Sequence, residues 1–156
     1  MAFTTINKSS DHFKAIKYTG TGSSNAITGV GHQPDFLWIK KANGAEHHIL
    51  IDAVRGLDKQ MYSSHNSSQD TNAQSVTAVG ADGFTVGTNA QTNANSSIFI
   101  AQTWKAGGGA GSSNTDGTIN TISTSVNTTS GVSISTVTLS GSGNQTIGHG
   151  LGVTPK

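Results

Sequence analysis

The sequence contains no cysteine, and this absence excludes several kinds of chemistry. Without thiols there is no disulfide framework, no thiolate ligand for a metal and no thiol redox reaction. The cellular compartment stays open for the same reason. The chain also has no apolar run of about 18 residues, so we expect no membrane-spanning helix. No basic segment followed by an apolar run opens the sequence, and we therefore expect no secretory signal peptide.

Charged and aromatic residues are scarce. Charged residues make up 11% of the chain, aromatic residues 6%, and the net charge is +1. Proteins that bind the phosphate backbone of nucleic acids need clustered Lys and Arg. We therefore expect no nucleic-acid partner.

Small polar residues dominate instead. Gly, Ser, Thr and Asn account for 73 of the 156 residues, and hydrophobic residues for only 33%. This composition favours strands and turns over helices. The small apolar fraction must offset a backbone ordering cost of roughly 1–2 kcal/mol per residue. We therefore expect the chain to gain stability from oligomerisation or from docking onto a larger assembly.

The strongest local signal is a hairpin centred on Asn43-Gly44. Two β-rich runs flank this dipeptide, at 35–42 and 45–54. Asn-Gly is typical of a type I′ turn, whose two central residues both need a positive φ. Apolar residues on both faces near the start of the first run predict a central strand covered on both sides.

Three further segments have strand character. The first has Phe13, Ile16 and Tyr18 facing inward, with Lys14 and Lys17 outward. A second hairpin spans 76–86 with a four-residue loop at 80–83, and another strand covers 97–105. The stretch 55–75 is polar and has the character of a loop. Short strands separated by turns predict an all-β fold, an antiparallel β-sandwich or jelly-roll-like domain.

The composition changes at residue 106 and suggests three parts. Residues 1–105 form the N-terminal β domain, and residues 106–131 are a flexible linker rich in Gly, Ser, Thr and Asn. Residues 132–156 are the start of a second, similar but incomplete β repeat. An offset of 121 residues superposes five identical residues of the two copies, Gly20/Gly141, Gly22/Gly143, Gly29/Gly150, Gly31/Gly152 and Pro34/Pro155. We expect the polypeptide to continue beyond Lys156, because the second copy stops before its central hairpin.

Several longer motifs carry a family resemblance. They are Thr4-Thr5-Ile6-Asn7-Lys8-Ser9, the segments 18–31, 33–40, 52–56, 82–87 and 104–108, and the tail 147–156. In this order they resemble tailed-bacteriophage virion proteins of environmental and marine phages, in which one unit repeats along a chain.

The resemblance implies a virion location and a tail-fibre or appendage role, without an assigned activity. It implies assembly in the host bacterial cytoplasm and contacts with other virion proteins. One departure is His32, where the family pattern leads us to expect an aromatic residue such as Phe before Gln33-Pro34.

His47 and His48, near Glu46 and Asp52, are the one cluster that resembles a metal or acid–base site. Neighbouring residues of a strand face opposite sides, so the two histidines cannot both line one site. His48 could converge with His65 or with His12, which spacing alone does not decide. Surface or interface histidines are the favoured interpretation, so we assign no metal and no cofactor.

The aromatic residues divide into core and surface candidates. Trp38 and Trp104 lie in apolar strand patterns, which favours the core. Tyr62 lies in the polar stretch, so it is the best surface contact, together with His47 and His48. Asp52, Arg55 and Asp58 are expected to form an ion pair that fixes the loop after the first hairpin.

Four functions follow from these observations. The favoured one is a non-enzymatic structural virion protein, the particle-docking N-terminal part of a tail fibre, as a homo-oligomer and preferably a trimer. The second is a capsid decoration protein on the head, and the third a module that binds a host-surface glycan. The fourth, an enzyme such as a depolymerase, has no supporting pair of catalytic residues in the sequence, and we assign no catalytic residue.

Overall fold

The structure is a computed structural model, and it describes residues 6–141 and 143–155. Two antiparallel sheets of six and three strands pack against each other, which confirms the predicted all-β sandwich. A separate two-stranded hairpin lies C-terminal to them.

The six-stranded sheet has the order β1-β9-β3-β4-β5-β6. Its strands are β1 (Phe13–Thr19), β3 (Phe36–Lys41), β4 (Ile49–Asp52), β5 (Lys59–Tyr62), β6 (Asp70–Thr71) and β9 (Ile98–Trp104). The smaller sheet has the order β2-β8-β7, from β2 (Asn25–Ile27), β7 (Val76–Gly80) and β8 (Gly83–Val86). The hairpin consists of β10 (Ser123–Asn127) and β11 (Val132–Thr136), and the helical elements are a 3₁₀ turn (Ser9–Asp11) and α1 (Ala90–Asn93).

The core lies between the two sheets. Tyr18 on β1 connects them, because its ring stacks on Phe99 at a centroid distance of 5.3 Å and meets the edge of Phe84 at 6.0 Å. The Tyr18 hydroxyl donates a 2.6 Å hydrogen bond to the carbonyl oxygen of Thr92. Burial raises the pKa of this phenol far above its ordinary value.

The strand β1 corrects one predicted orientation. Ile16 and Tyr18 face the core as expected, but Phe13 is 39% exposed and lies on the opposite face of the sheet. The spacing explains this, since side chains two apart share a face and Phe13 is an odd number of residues from both. Lys14 occupies the inner-face position instead, and its ammonium group donates to the carbonyl oxygen of Gly29.

A row of aromatic rings crosses the outer face of the six-stranded sheet. Phe13 and Phe36 flank Trp104, with ring centroids at 4.9 and 5.3 Å. Trp104 is half-buried on this face, whereas Phe99 and Ala101 of the same strand are buried in the core. The two tryptophans predicted as core residues, Trp38 and Trp104, therefore both lie on the outer face.

The first hairpin is confirmed, but its turn differs from the prediction. Strands β3 and β4 pair with Ile39 opposite Ile49, so the connection runs from residue 42 to 48 and not through two residues. Gly44 does not have a positive φ. Two hydrogen bonds hold this loop in its open form. The Asn43 side chain accepts from the N–H of Ile98, which is distant in the sequence, at 3.0 Å. Within the hairpin, Lys40 donates to the Gly44 carbonyl at 2.8 Å.

The second hairpin is tighter than predicted. Gly80 pairs with Gly83, which leaves a connection of only Ala81 and Asp82. The Asp82 carboxylate reaches across to the first half of the chain and accepts from the N–H groups of Gly31 at 2.7 Å and Gly29 at 3.0 Å. These two donors hold the pKa of Asp82 below its ordinary value.

The polar stretch 55–75 contains the strands β5 and β6, where the sequence predicted a loop. The predicted ion pair is confirmed in part, since Arg55 Nε lies 2.6 Å from Asp52 Oδ2. Asp58 pairs instead with its neighbour Lys59, at 2.9 Å.

The glycine-rich segment after β9 wraps around a buried carboxylate. Asp35 has no exposed surface, and its two oxygens accept from the N–H groups of Ala106 at 2.7 Å and of Gly108 and Gly109 at 3.0 Å each. A concave run of backbone N–H groups of this kind is a nest, which binds an anion without a cationic side chain. The segment predicted as a flexible linker thus begins with a fixed corner.

The hairpin of β10 and β11 crosses the predicted boundary between linker and repeat. A groove of about 590 Å³ separates β11 from the outer sheet face, with Phe36 and Trp104 on one wall and Ile134 on the other.

Two glycine pairs of the proposed repeat have similar φ angles. The φ angle is 80° at Gly29 and 67° at Gly150, and it is 88° at Gly31 and 71° at Gly152. The division into domain, linker and repeat stays a prediction.

Replacing Asp35 tests the corner. We expect Asp35→Ala to lower the free energy of unfolding by about 3 kcal/mol, because three backbone donors lose a charged acceptor. Urea denaturation measures the loss, and hydrogen exchange should show faster exchange at residues 106–109. Asp58→Ala, which removes only the ion pair of the half-buried Asp58 with Lys59, is the matched control. It should cost much less stability than Asp35→Ala and leave exchange at residues 106–109 unchanged. Equal stability of the two variants would contradict the role of Asp35.

Candidate functional site

Three rings meet at the surface near the end of β5. The His47 ring lies 4.8 Å from His65 and 5.6 Å from Tyr62, between ring centroids, and Tyr62 lies 6.3 Å from His65. Tyr62 ends β5, His47 lies in the loop before β4, and His65 follows β5. Antiparallel pairing brings them together, because Tyr62 is opposite Ile49 in the ladder. We call these three residues the ring cluster.

Two hydrogen bonds hold the Tyr62 hydroxyl in place. It accepts from Gln60 Nε2 at 2.7 Å and donates to Asp70 Oδ2 at 3.1 Å. Partial burial is the main cause that raises the pKa of Tyr62; the Gln60 hydrogen bond lowers it, and Asp70 raises it through a hydrogen bond and its charge. With its hydroxyl engaged twice, Tyr62 offers a ligand mainly the face and edge of its ring.

A buried polar network supports this arrangement. Gln60 is buried, and its side-chain oxygen accepts from the Ser75 hydroxyl at 2.6 Å. Ser75 in turn accepts from Asn89 Nδ2 at 2.5 Å, and its carbonyl oxygen accepts from the Thr92 hydroxyl at 3.2 Å. The network therefore links the ring cluster to the cap of α1, where the Asn89 side chain accepts from the Gln91 N–H.

Hydrogen bonds decide the neutral tautomer of two histidine rings. His65 Nδ1 accepts from the backbone N–H of Ser67 at 3.2 Å, and His48 Nδ1 accepts from the indole N–H of Trp38 at 3.0 Å. Since neither donor can act as an acceptor, the ring proton of each neutral histidine lies on Nε2. A metal ion that bound Nε2 would have to displace that proton.

The predicted site residues separate as follows. His47 and Tyr62 belong to the ring cluster, whereas His48 turns away to Trp38, in agreement with the expectation that the two histidines do not share a site. His65 converges with His47 and not with His48. His12 lies elsewhere, with Nδ1 3.4 Å from Asn127 Nδ2.

Two searches of the structure concern metals and membranes. Over residues 6–141 and 143–155, no group of three or more His, Cys, Asp or Glu side chains is placed to hold a metal ion. None of the helices in those ranges has the length and apolar character needed to cross a bilayer.

A family model described as a domain of unknown function, DUF7483, matches residues 8–156. The chain belongs to this family. Among curated proteins and solved structures, no match to the chain was found. The DUF7483 match covers the sandwich, the glycine corner and the C-terminal hairpin together.

The sequence missed the polar residues beneath the ring cluster. Gln60 and Asp70 lie in the stretch that was assigned to a loop, where a buried glutamine has no sequence signature. The one available signal is that Gln60 and Tyr62 are two residues apart, which places them on the same face of a strand. The ring cluster offers a polar ligand stacking surfaces and the Nε2–H donor of a neutral His65.

A spectroscopic titration tests the geometry of Tyr62. We expect Asp70→Asn to lower the pKa of the Tyr62 phenol, because the substitution removes a negative charge that opposes its ionisation. The ultraviolet absorbance of tyrosinate follows this transition, and the buried Tyr18 ionises at higher pH. Asp58→Asn, which changes a carboxyl that pairs with Lys59 and not with Tyr62, is the control; the same shift in both variants would show that Asp70 has no specific contact.

Proposed function

We propose that this protein is a non-enzymatic structural component of a bacteriophage virion, the particle-docking N-terminal part of a tail fibre or similar appendage. The observation that supports a building role is the exposure of apolar side chains in the C-terminal third. Leu139 is 68% exposed and Val153 70%, and Ile122 and Ile147 are exposed as well. The virion location itself comes from the sequence resemblance.

The distribution of buried apolar residues supports a role that depends on neighbours. The main cluster of buried apolar residues runs from Tyr18 to Ala101. Among the described residues from 106 onward, only Ala106 and Leu151 are buried apolar residues. Exposed apolar side chains on this scale indicate a surface that another molecule covers.

The proposed partners are other virion proteins and further copies of the chain, with a trimer expected from the resemblance to fibres. High local copy number on a particle stabilises such subunits by mass action. A capsid decoration protein on the head is the alternative, because the same exposed residues would serve it equally.

Labelling of intact particles tests this proposal. Antibodies against the sandwich, coupled to gold, are expected to label the tail appendages of purified particles of a phage that encodes this protein. Label on the head would support the decoration alternative and overturn the appendage role. Antibodies that recover the protein from infected cells but detect none in purified particles would overturn the virion proposal.

The ring cluster favours a second candidate function, recognition of a host-surface glycan. Tyr62, His47 and His65 form a shallow group of rings, and the Nε2–H of a neutral His65 can donate to a sugar hydroxyl. Aromatic faces pack well against the apolar side of a sugar ring. This role is compatible with an appendage and adds a contact to it.

A glycan array tests the second candidate. We expect Tyr62→Ala to abolish binding, since the largest ring of the cluster and its contacts with both histidines are lost. Phe13→Ala, which removes an exposed ring on another face, should leave binding intact. Unchanged binding by Tyr62→Ala, or none by the natural protein, would contradict a glycan site here.

A further inference from the structure

The strand β1 forms an open edge of the six-stranded sheet. It pairs with β9 on one side, and no strand within the described residues pairs with its other side. With seven residues it is longer than the other edge strands, β2, β6 and β7. An edge of this length presents a row of unpaired backbone groups to a second strand.

The register with β9 determines which groups point outward. Lys105 N–H donates to the His12 carbonyl and Gly20 N–H to the Ser97 carbonyl, at the two ends of β1. Hydrogen-bonded pairs alternate along an antiparallel ladder, so the even-numbered residues of β1 bond to β9. The N–H and C=O groups of Phe13, Ala15 and Lys17 therefore face the open edge, as does the N–H of Thr19, whose carbonyl already accepts from Asn25 Nδ2 at 3.1 Å.

This edge is complementary to itself. Two antiparallel copies that overlap over the whole of Phe13–Thr19 place Ile16 opposite Ile16 of the second copy. Residue 13 then lies opposite 19, and residue 15 opposite 17. These are the outward-facing residues on both strands, so the hydrogen-bonding positions coincide. A shift by one residue would place bonded positions opposite non-bonded ones.

The side chains fit the same register. On the outer face, Lys17 lies opposite Ala15 of the second copy, so no lysine stands directly opposite a lysine. On the inner face, Lys14 lies opposite Tyr18 of the second copy, and its ammonium group is already engaged by the Gly29 carbonyl. Like charges directly opposite destabilise a strand pair, and this arrangement avoids them.

We propose that β1 is a docking edge for β1 of a second copy of this chain, which joins two six-stranded sheets about a two-fold axis. This inference rests on the proposed homo-oligomer and names its contact surface. An isologous contact closes at two chains. It therefore specifies a dimer, where the resemblance to fibres suggests a trimer.

Charge substitution at residue 15 tests the register. Ala15→Glu places a carboxylate opposite Lys17 of the other copy in both halves of the contact. We expect the dissociation constant of the dimer to fall about fivefold. Ala15→Lys places like charges opposite each other and should loosen the dimer by about fivefold. Ala15 is exposed, so both variants should melt alike as monomers. Sedimentation equilibrium of the full chain measures the mass and the dissociation constant, and added salt should reduce the difference.

A backbone variant provides the second arm. Ala15→Pro removes an N–H that faces the open edge and not β9, so the sandwich should fold while the dimer is lost. Ala15→Val retains the N–H and should remain dimeric. Circular dichroism and tryptophan fluorescence report folding of each variant.

The outcomes separate the two proposals. A dimer whose stability follows the order Glu, Ala, Lys at residue 15 supports the β1 contact. A trimer insensitive to residue 15 overturns the β1 contact but leaves the proposed homo-oligomer in place. A monomer at every concentration overturns the β1 contact and the homo-oligomer together, while particle labelling still tests the virion role.

Discussion

The arrangement of the chain depends on the hydrogen bonds that Asp35 makes with backbone groups. Its backbone N–H donates to the Trp104 carbonyl at 2.9 Å, and its own carbonyl accepts from Ala53 at the same distance. The carboxylate then captures the N–H groups that follow β9. Asp35 thus joins the start of β3 to the ends of β4 and β9. It also directs the chain after β9 toward the hairpin of β10 and β11. A buried charge satisfied only by backbone donors and the Gln33 side chain requires these donors to stay in place.

This corner places the C-terminal hairpin beside the outer sheet face, and the two faces of the sheet differ as a result. The inner face is covered by the small sheet and is closely packed. The outer face carries the row of Phe13, Trp104 and Phe36, which the hairpin covers only in part. The sheet therefore has one closely packed face and one face with apolar rings that a second molecule can still contact.

The sequence predicted the class of fold and both hairpins, because Asn43-Gly44 and the glycines around Asp82 lie between clear β-rich runs. It did not predict the open turn at residues 42–48, since the hydrogen bond from Ile98 to Asn43 joins residues far apart in the chain. The sequence predicts Tyr62 and His47 as surface contacts, but it does not predict that His65 joins them. His65 reaches them through the pairing of β4 with β5. Two-residue periodicity could not reveal β5, because its inward residues are Gln60 and Tyr62 and its apolar Met61 faces outward. Similarly, His32 departs from the family pattern yet is buried, where its two ring nitrogens meet the Ser10 carbonyl and the Thr103 hydroxyl.

The polar side chains inside the sandwich have a consequence for how the protein responds to temperature. Gln60, Ser75, Thr92 and Asn93 occupy interior positions that most domains fill with aliphatic groups. Exposure of apolar surface raises the heat capacity on unfolding, whereas exposure of polar surface lowers it. The heat-capacity increment of this chain is therefore small for its length, and its stability curve is broad and shallow. Such a curve keeps the free energy of unfolding nearly constant over a wide range of temperature.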